Sequence, residues 1–183
     1  MKKVILIPKF FHELFGTEQR LSELILILIF TVTATLVTAL STTTYWQSLS
    51  GFQNFVLWLL FLDISGGVVA NLSFGTNNHY KELPKGRWLF IAVHIQPLIL
   101  AAVLQSPMLI AIVIWLYTVL SASLINCLRQ KIYHRLLAGA LYSFAIIGYV
   151  LSDISLPSPI SLIYLLYMMK VIYSFSVDHS LEV

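Results

Sequence analysis

Residues 21–40 read LSELILILIFTVTATLVTAL. At 1.5 Å of rise per residue, a helix of that length is about 30 Å long, the thickness of a bilayer's hydrocarbon core. Apolar residues fall on every face of it, which suits a helix surrounded by lipid. Five comparable runs follow at about 52–74, 88–104, 108–126, 136–151 and 160–177. The breaks between them are distinct. Ser41 to Gly51 is rich in Ser and Thr, and Gly75 to Arg87 is polar with Pro84 and Gly86. Gln105-Ser106-Pro107 is a tight turn, and Ser155 to Pro159 holds two prolines.

Composition agrees with this pattern. The chain is 58% hydrophobic and 10% charged, whereas a soluble domain needs about a quarter charged residues to cover its surface. The expected fold is therefore an all-α membrane protein, a six-transmembrane-helix bundle. Residues 1–20 form a leader, 21–177 the transmembrane domain and 178–183 a tail.

The placement of charge predicts orientation. Of the eleven Lys and Arg residues, ten fall in three segments. Lys2, Lys3, Lys9 and Arg20 precede the first run, Lys81, Lys85 and Arg87 lie between the second and third, and Arg129, Lys131 and Arg135 lie between the fourth and fifth. The alternate loops have none, and Lys170 is inside the sixth run. Cytoplasmic loops carry the Lys/Arg excess, so the prediction is a multi-pass protein of the cell membrane with both termini cytoplasmic.

The N-terminus does not read as a signal peptide, because the apolar run Val4-Ile5-Leu6-Ile7 stops at Pro8, short of the ~7–15 residues required. From Pro8 the chain is expected to form one or two helical turns. Phe10, Phe11, Leu14 and Phe15 then share an apolar face, making a short interfacial segment. Gly16-Thr17-Glu18 reads as a break, an N-cap and an acidic first turn. The single cysteine, Cys127, excludes an intrachain disulfide and reads as an inert thiol.

Ionisable groups inside the runs are the candidates for chemistry, since they are costly in hydrocarbon. Asp63 lies roughly 16 Å into the second run and Lys170 roughly 15 Å into the sixth. At matching depth and of opposite sign, they are expected to pair or share a polar cavity, though the long stem of Lys170 also permits it to snorkel. Gly66, Gly67, Ala70 and Asn71 follow Asp63 at helical spacing, as a small-residue groove that equally suits close helix packing. His94 lies roughly 9 Å into the third run. Pro97 follows three residues on, where its ring displaces the carbonyl of Val93 and kinks the helix. Asp63, His94 and Lys170 are thus the candidate catalytic groups.

Tyr167 and Tyr173 flank Lys170 at helical spacing, with Tyr164 a turn further. Asn71 to Tyr80 is the most polar stretch leaving a run. Asn71, Thr76, Asn77, His79, Tyr164, Tyr167 and Tyr173 are accordingly the candidate ligand-binding residues, with Lys81, Lys85 and Arg87 nearby as anchors for a phosphate or lipid headgroup. An ordinary Gly/Asn helix exit is the plainer alternative. No cofactor follows from the sequence. His79, His94 and His134 are weak metal candidates without the spacing of a zinc motif, and with His179 two of them are expected near the inner rim. Thr31, Thr35, Thr38 and Thr42 form a hydroxyl stripe on the first helix, either a polar path or a packing face with hydroxyls bonded back to the i−4 carbonyl.

No nucleophile elbow, phosphate-binding glycine loop or C-x-x-C pair is present, and no basic soluble face suits nucleic acid. The expected partners are the bilayer and a lipid or small-molecule ligand. Size and six-span plan resemble the substrate-binding subunits of small vitamin transporters. Their alanine-spaced first-helix motif is absent, so nothing of their chemistry carries over. Three functions stay open: a membrane-embedded binding or catalytic site for a lipid-like ligand, a small-solute transporter or transporter subunit, and a non-catalytic scaffold.

Overall fold

The computed structural model describes residues 3–179. Six helices or helix pairs are long and apolar enough to cross a membrane. In chain order the elements are β1 (Val4–Leu6), α1 (His12–Phe15), β2 (Glu18–Arg20), α2 (Leu21–Ser41), α3 (Thr43–Gln47), α4 (Gly51–Ala70), α5 (Phe74–Glu82), α6 (Pro84–Val93), α7 (Gln96–Leu104), α8 (Met108–Cys127), α9 (His134–Leu151) and α10 (Ser158–Met168). A wider π-helical segment, Met169–Phe175, continues α10 without interruption.

The core lies along α4 and the α10/π-helical rod. Leu57, Phe61, Ile64, Ile163, Tyr164, Tyr167 and Ile172 are fully or almost fully buried there. The helix α2 is peripheral and buries only Ile27 and Thr38. This layering bears directly on the site, because the two helices that carry Asp63 and Lys170 are the ones enclosed by the others.

The leader differs from the sequence expectation. Lys9–Phe11 and His12–Phe15 do form helical turns after Pro8, and Phe10, Phe11 and Leu14 are exposed. Glu18, however, does not open a helix behind a Thr17 cap. Glu18–Arg20 pairs antiparallel with Val4–Leu6, whose β-branched and aliphatic residues favour extended backbone, and α2 starts only at Leu21. Gly16 makes this reversal possible. Its φ is +74°, and its backbone lies so close to Gly75 that a Cβ would overlap the Gly75 carbonyl.

The second apolar run also ends earlier than expected. α4 stops at Ala70, and Phe74–Glu82 forms a separate helix. Its first turn is clamped to the leader, while Lys81 and Glu82 at its far end are exposed. Thr76 Oγ1 donates to the Leu14 carbonyl (2.9 Å), and Gln19 Nε2 donates to Ser73 Oγ (2.6 Å). The Gly75 amide donates to Gln19 Oε1 (3.3 Å), and the Phe74 amide to Glu23 Oε2 (3.0 Å).

The third span is broken rather than merely kinked. Pro97 has no N–H to give Val93, and its ring excludes that carbonyl. The Val93 carbonyl instead accepts from the Ile95 amide (2.9 Å) in a tight turn at His94, whose φ and ψ are −80° and 68°. The His94 carbonyl, freed by the same break, accepts from Tyr167 Oη (2.7 Å). The Thr stripe of α2 is a packing feature. Thr31, Thr35 and Thr42 each donate to the carbonyl four residues back, at 2.6–2.7 Å.

Candidate functional site

A cavity of ≈450 Å³ lies between α4, α6, the α6–α7 break and the π-helical segment. Asp63, Asn71, His94, Gln96 and Lys170 line it, with Glu13 and Tyr80 at the leader end. At its deep end Lys170 Nζ donates to Asp63 Oδ2 over 2.9 Å. The lysine side chain is 3% exposed, while that of Asp63, which lines the cavity, is 34% exposed. Gln96 Nε2 is a second donor to the same oxygen at 3.3 Å.

Lys170 does not snorkel, and Gly67 is one reason. A Cβ at position 67 would overlap Cε and Cδ of Lys170, so the missing side chain is the space in which the lysine stem lies. Gly66, one residue earlier and 100° around the helix, packs instead against Thr31 of α2. The small residues expected to form one groove thus serve two different neighbours.

The orientation of His94 follows from the helix break. Its Nδ1 lies within hydrogen-bond distance of the Phe90 carbonyl. A carbonyl only accepts, so Nδ1 carries the proton and Nε2 offers a lone pair. The ring is stacked on Phe90 at 3.7 Å between centroids, and Phe90 is stacked on Phe175 at 3.6 Å.

Nearer the leader, Asn71 is 5% exposed, and its Nδ2 is buried without a protein partner. Gln96 Oε1 is likewise buried and unpartnered. Tyr80 Oη donates to Glu13 Oε2 at 2.6 Å. Burial, and then the adjacent carboxylate, raise the Tyr80 phenol above its ordinary range, so it stays a donor. Leu89 and Val93 of α6 line the cavity and are also exposed, so the cavity reaches the apolar surface on that side.

Several residues expected at the site are elsewhere. Tyr164, Tyr167 and Tyr173 do not line the cavity. The Tyr167 hydroxyl is committed to the His94 carbonyl, and Tyr173 packs edge-on to His179. The π-helical segment begins one residue before Lys170, so the α-helical spacing that would align Tyr173 with it does not hold. Thr76 and Asn77 face the leader and the tail rather than a ligand: Asn77 Oδ1 accepts from the His179 amide (3.1 Å) and Asn77 Nδ2 donates to Asp178 Oδ1 (3.4 Å). His79 lies beside His12 and is 3.9 Å from Glu13.

Both ring nitrogens of His134 are engaged, Nδ1 with the Lys131 carbonyl and Nε2 as acceptor from the Asp178 amide (3.3 Å). Among the described residues, no group of three or more His, Cys, Asp or Glu side chains is placed to hold a metal ion.

Arg87 has a structural role that the sequence reading overlooks. It is 2% exposed and donates to Asn126 Oδ1 (2.7 Å) and to the carbonyls of Phe175 (3.1 Å) and Ser176 (2.9 Å). It thus caps the end of the π-helical segment. Asp178 holds the same end together through Arg129 (3.2 Å) and through its own carbonyl, which accepts from Arg135. Burial lowers the pKa of the neighbouring His179, and Arg135 adds to the shift. Gln96 and Glu13 are also unforeseen at the cavity. A polar residue between His94 and Pro97 inside an apolar run was an available signal for Gln96, whereas Glu13 is brought in only by the folding of the leader.

Chemically, the cavity holds acid–base and hydrogen-bonding groups, and its lining residues include no Ser, Thr or Cys to act as nucleophile. A separate cavity of ≈390 Å³ between α8 and α9, lined by Val113, Phe144 and Gly148 among others, is almost wholly apolar. No protein-family model, curated protein or solved structure matches this chain.

Proposed function

We propose that this chain is a polytopic protein of the cell membrane that binds, and in catalysis would act on, a lipid-like or small amphiphilic ligand in the cavity of Asp63, Asn71, His94, Gln96 and Lys170. The supporting observation is the coincidence of three properties in one place. Ionisable groups converge there, buried amide groups lack partners, and the opening lies between exposed apolar residues of a span. A buried polar group without a partner costs about 1–3 kcal/mol, and a ligand that supplies the missing hydrogen bonds recovers that cost. In the proposed orientation the Lys/Arg-rich end is cytoplasmic, as the charge asymmetry of the loops indicates. The cavity then lies in the cytoplasmic half of the bilayer, with the leader at its cytoplasmic side.

The transporter alternative would run a polar path along the threonine stripe and the Asp63–Lys170 pair; Thr31, Thr35 and Thr42 give their hydroxyl hydrogens to carbonyls four residues back, which favours the binding reading. The binding reading is tested by photolabelling in nanodiscs with an alkyl-diazirine lipid. Labels are expected on peptides holding Leu14, Leu89 and Val93, and Val93→Trp, which fills the opening from an exposed position, is expected to suppress them. Unchanged labelling of Val93→Trp, or labels spread evenly over the lipid-facing helices, would refute the site.

A further inference from the structure

We infer that the cavity selects an uncharged amphiphile, an apolar chain bearing a hydroxyl or amide that both donates and accepts hydrogen bonds, and disfavours anionic and cationic headgroups. The inference rests on the cavity being a ligand site, as proposed above, and deepens it by naming the ligand's chemistry.

The argument begins with charge. Lys170 is the one cation lining the cavity, and its ammonium is already held 2.9 Å from Asp63. A phosphate or carboxylate would have to take Lys170 from Asp63 while lying beside that carboxylate, and Glu13 at the leader end offers it no counter-charge. Bringing an anion out of water without a free counter-charge is unfavourable. A cation at the deep end would have to displace the Lys170 ammonium from Asp63, and the other lining carboxylate, Glu13, has a side chain 73% exposed, so its charge is screened by solvent. Paired charges of opposite sign therefore leave the deep cavity with little net attraction for either ion.

The groups that remain unpartnered are neutral. Asn71 Nδ2 is a buried donor, Gln96 Oε1 is a buried acceptor, and His94 Nε2 offers a lone pair. Asn71 lies eight residues beyond Asp63 along the α4 direction, about 12 Å by helical rise. The acceptors are thus at the deep end and the donor is nearer the leader. A glycerol, an alcohol or an amide satisfies such a set, because each carries both a donor and an acceptor. The opening between Leu89 and Val93 provides the route for its chain into the surrounding hydrocarbon.

The experiment holds the chain constant and varies only the head. The full-length protein in detergent is titrated with 1-monooleoylglycerol, oleyl phosphate and oleyltrimethylammonium and read by native mass spectrometry. The glyceride is expected to bind saturably, with both charged probes weaker by about tenfold or more, a difference of one decade in Kd. Asn71→Leu, which removes the unpartnered donor at similar volume, is expected to weaken the glyceride at least about fivefold. Either charged probe binding the wild-type protein as tightly as the glyceride overturns the selectivity while leaving the site in place. Glyceride binding that survives both Asn71→Leu and Val93→Trp overturns the site itself. The wild-type series needs no variant to fold, so it decides the selectivity even if Asn71→Leu is lost to misfolding.

Discussion

Replacing Asp63 by Asn should damage this protein more than replacing its partner Lys170 by Met, and the structure sets the order. The Lys170 side chain is 3% exposed, whereas that of Asp63, a lining residue of the cavity, is 34% exposed. Asp63→Asn strands a buried cation, and removing one partner of a buried pair costs about 3–5 kcal/mol. Lys170→Met strands a carboxylate that keeps the Gln96 hydrogen bond at 3.3 Å and its partial exposure, so about 1–3 kcal/mol is expected. The double variant contains neither charge and should cost less than the sum, with a coupling energy of about 2 kcal/mol or more. The assay is a double-mutant cycle on reversible unfolding in mixed micelles, followed by circular dichroism as the SDS fraction rises. A coupling energy below about 0.5 kcal/mol would mean that the two residues act independently, and the pair at the centre of the proposed site would be refuted.

Arg87→Lys should cost about 2–4 kcal/mol and behave much like Arg87→Met, because a single ammonium cannot reach Asn126 and the Phe175 and Ser176 carbonyls together; thermal unfolding of the two variants checks this, and a wild-type melting temperature for Arg87→Lys would contradict it. Gly16→Ala places a methyl group against the Gly75 carbonyl at a φ of +74°, so it should release the leader from α5, seen as faster hydrogen exchange and proteolysis within residues 3–20 while the spans stay protected. His179 has a folded pKa lowered chiefly by burial. The unfolded chain therefore binds the proton more readily, and this contribution to stability is complete above the ordinary histidine value of 6.5 and falls as pH drops through it. Unfolding measured from pH 7.5 to pH 5 should show that loss in wild type and a flatter profile in His179→Phe.

Much of the plan is legible in the sequence because hydrocarbon imposes a simple rule. A run of about 20 apolar residues satisfies its own backbone only as a helix, and so the six apolar stretches announce six helices or helix pairs. Asp63, His94 and Lys170 stand out for the same reason, as ionisable groups in runs that otherwise exclude them. Pro97 marks the third span as imperfect, because the loss of its N–H is a local fact.

The sequence does not show what each polar group turns to. Asn71 and Asn77 are both amides in the same helix exit. One faces a cavity with a free amide hydrogen, while the other is bonded to Asp178 and His179 a hundred residues away. Composition and spacing cannot separate them, since hydrogen-bond partners distant in sequence are chosen by packing. The β-hairpin of the leader, the burial of Arg87 and the π-helical widening that removes Tyr173 from Lys170 are decided in the same way. Solvent preference is local and readable along the chain. Partnership among polar groups is a property of the folded bundle, and it alone gathers Asp63, Asn71, His94, Gln96 and Lys170 around one space.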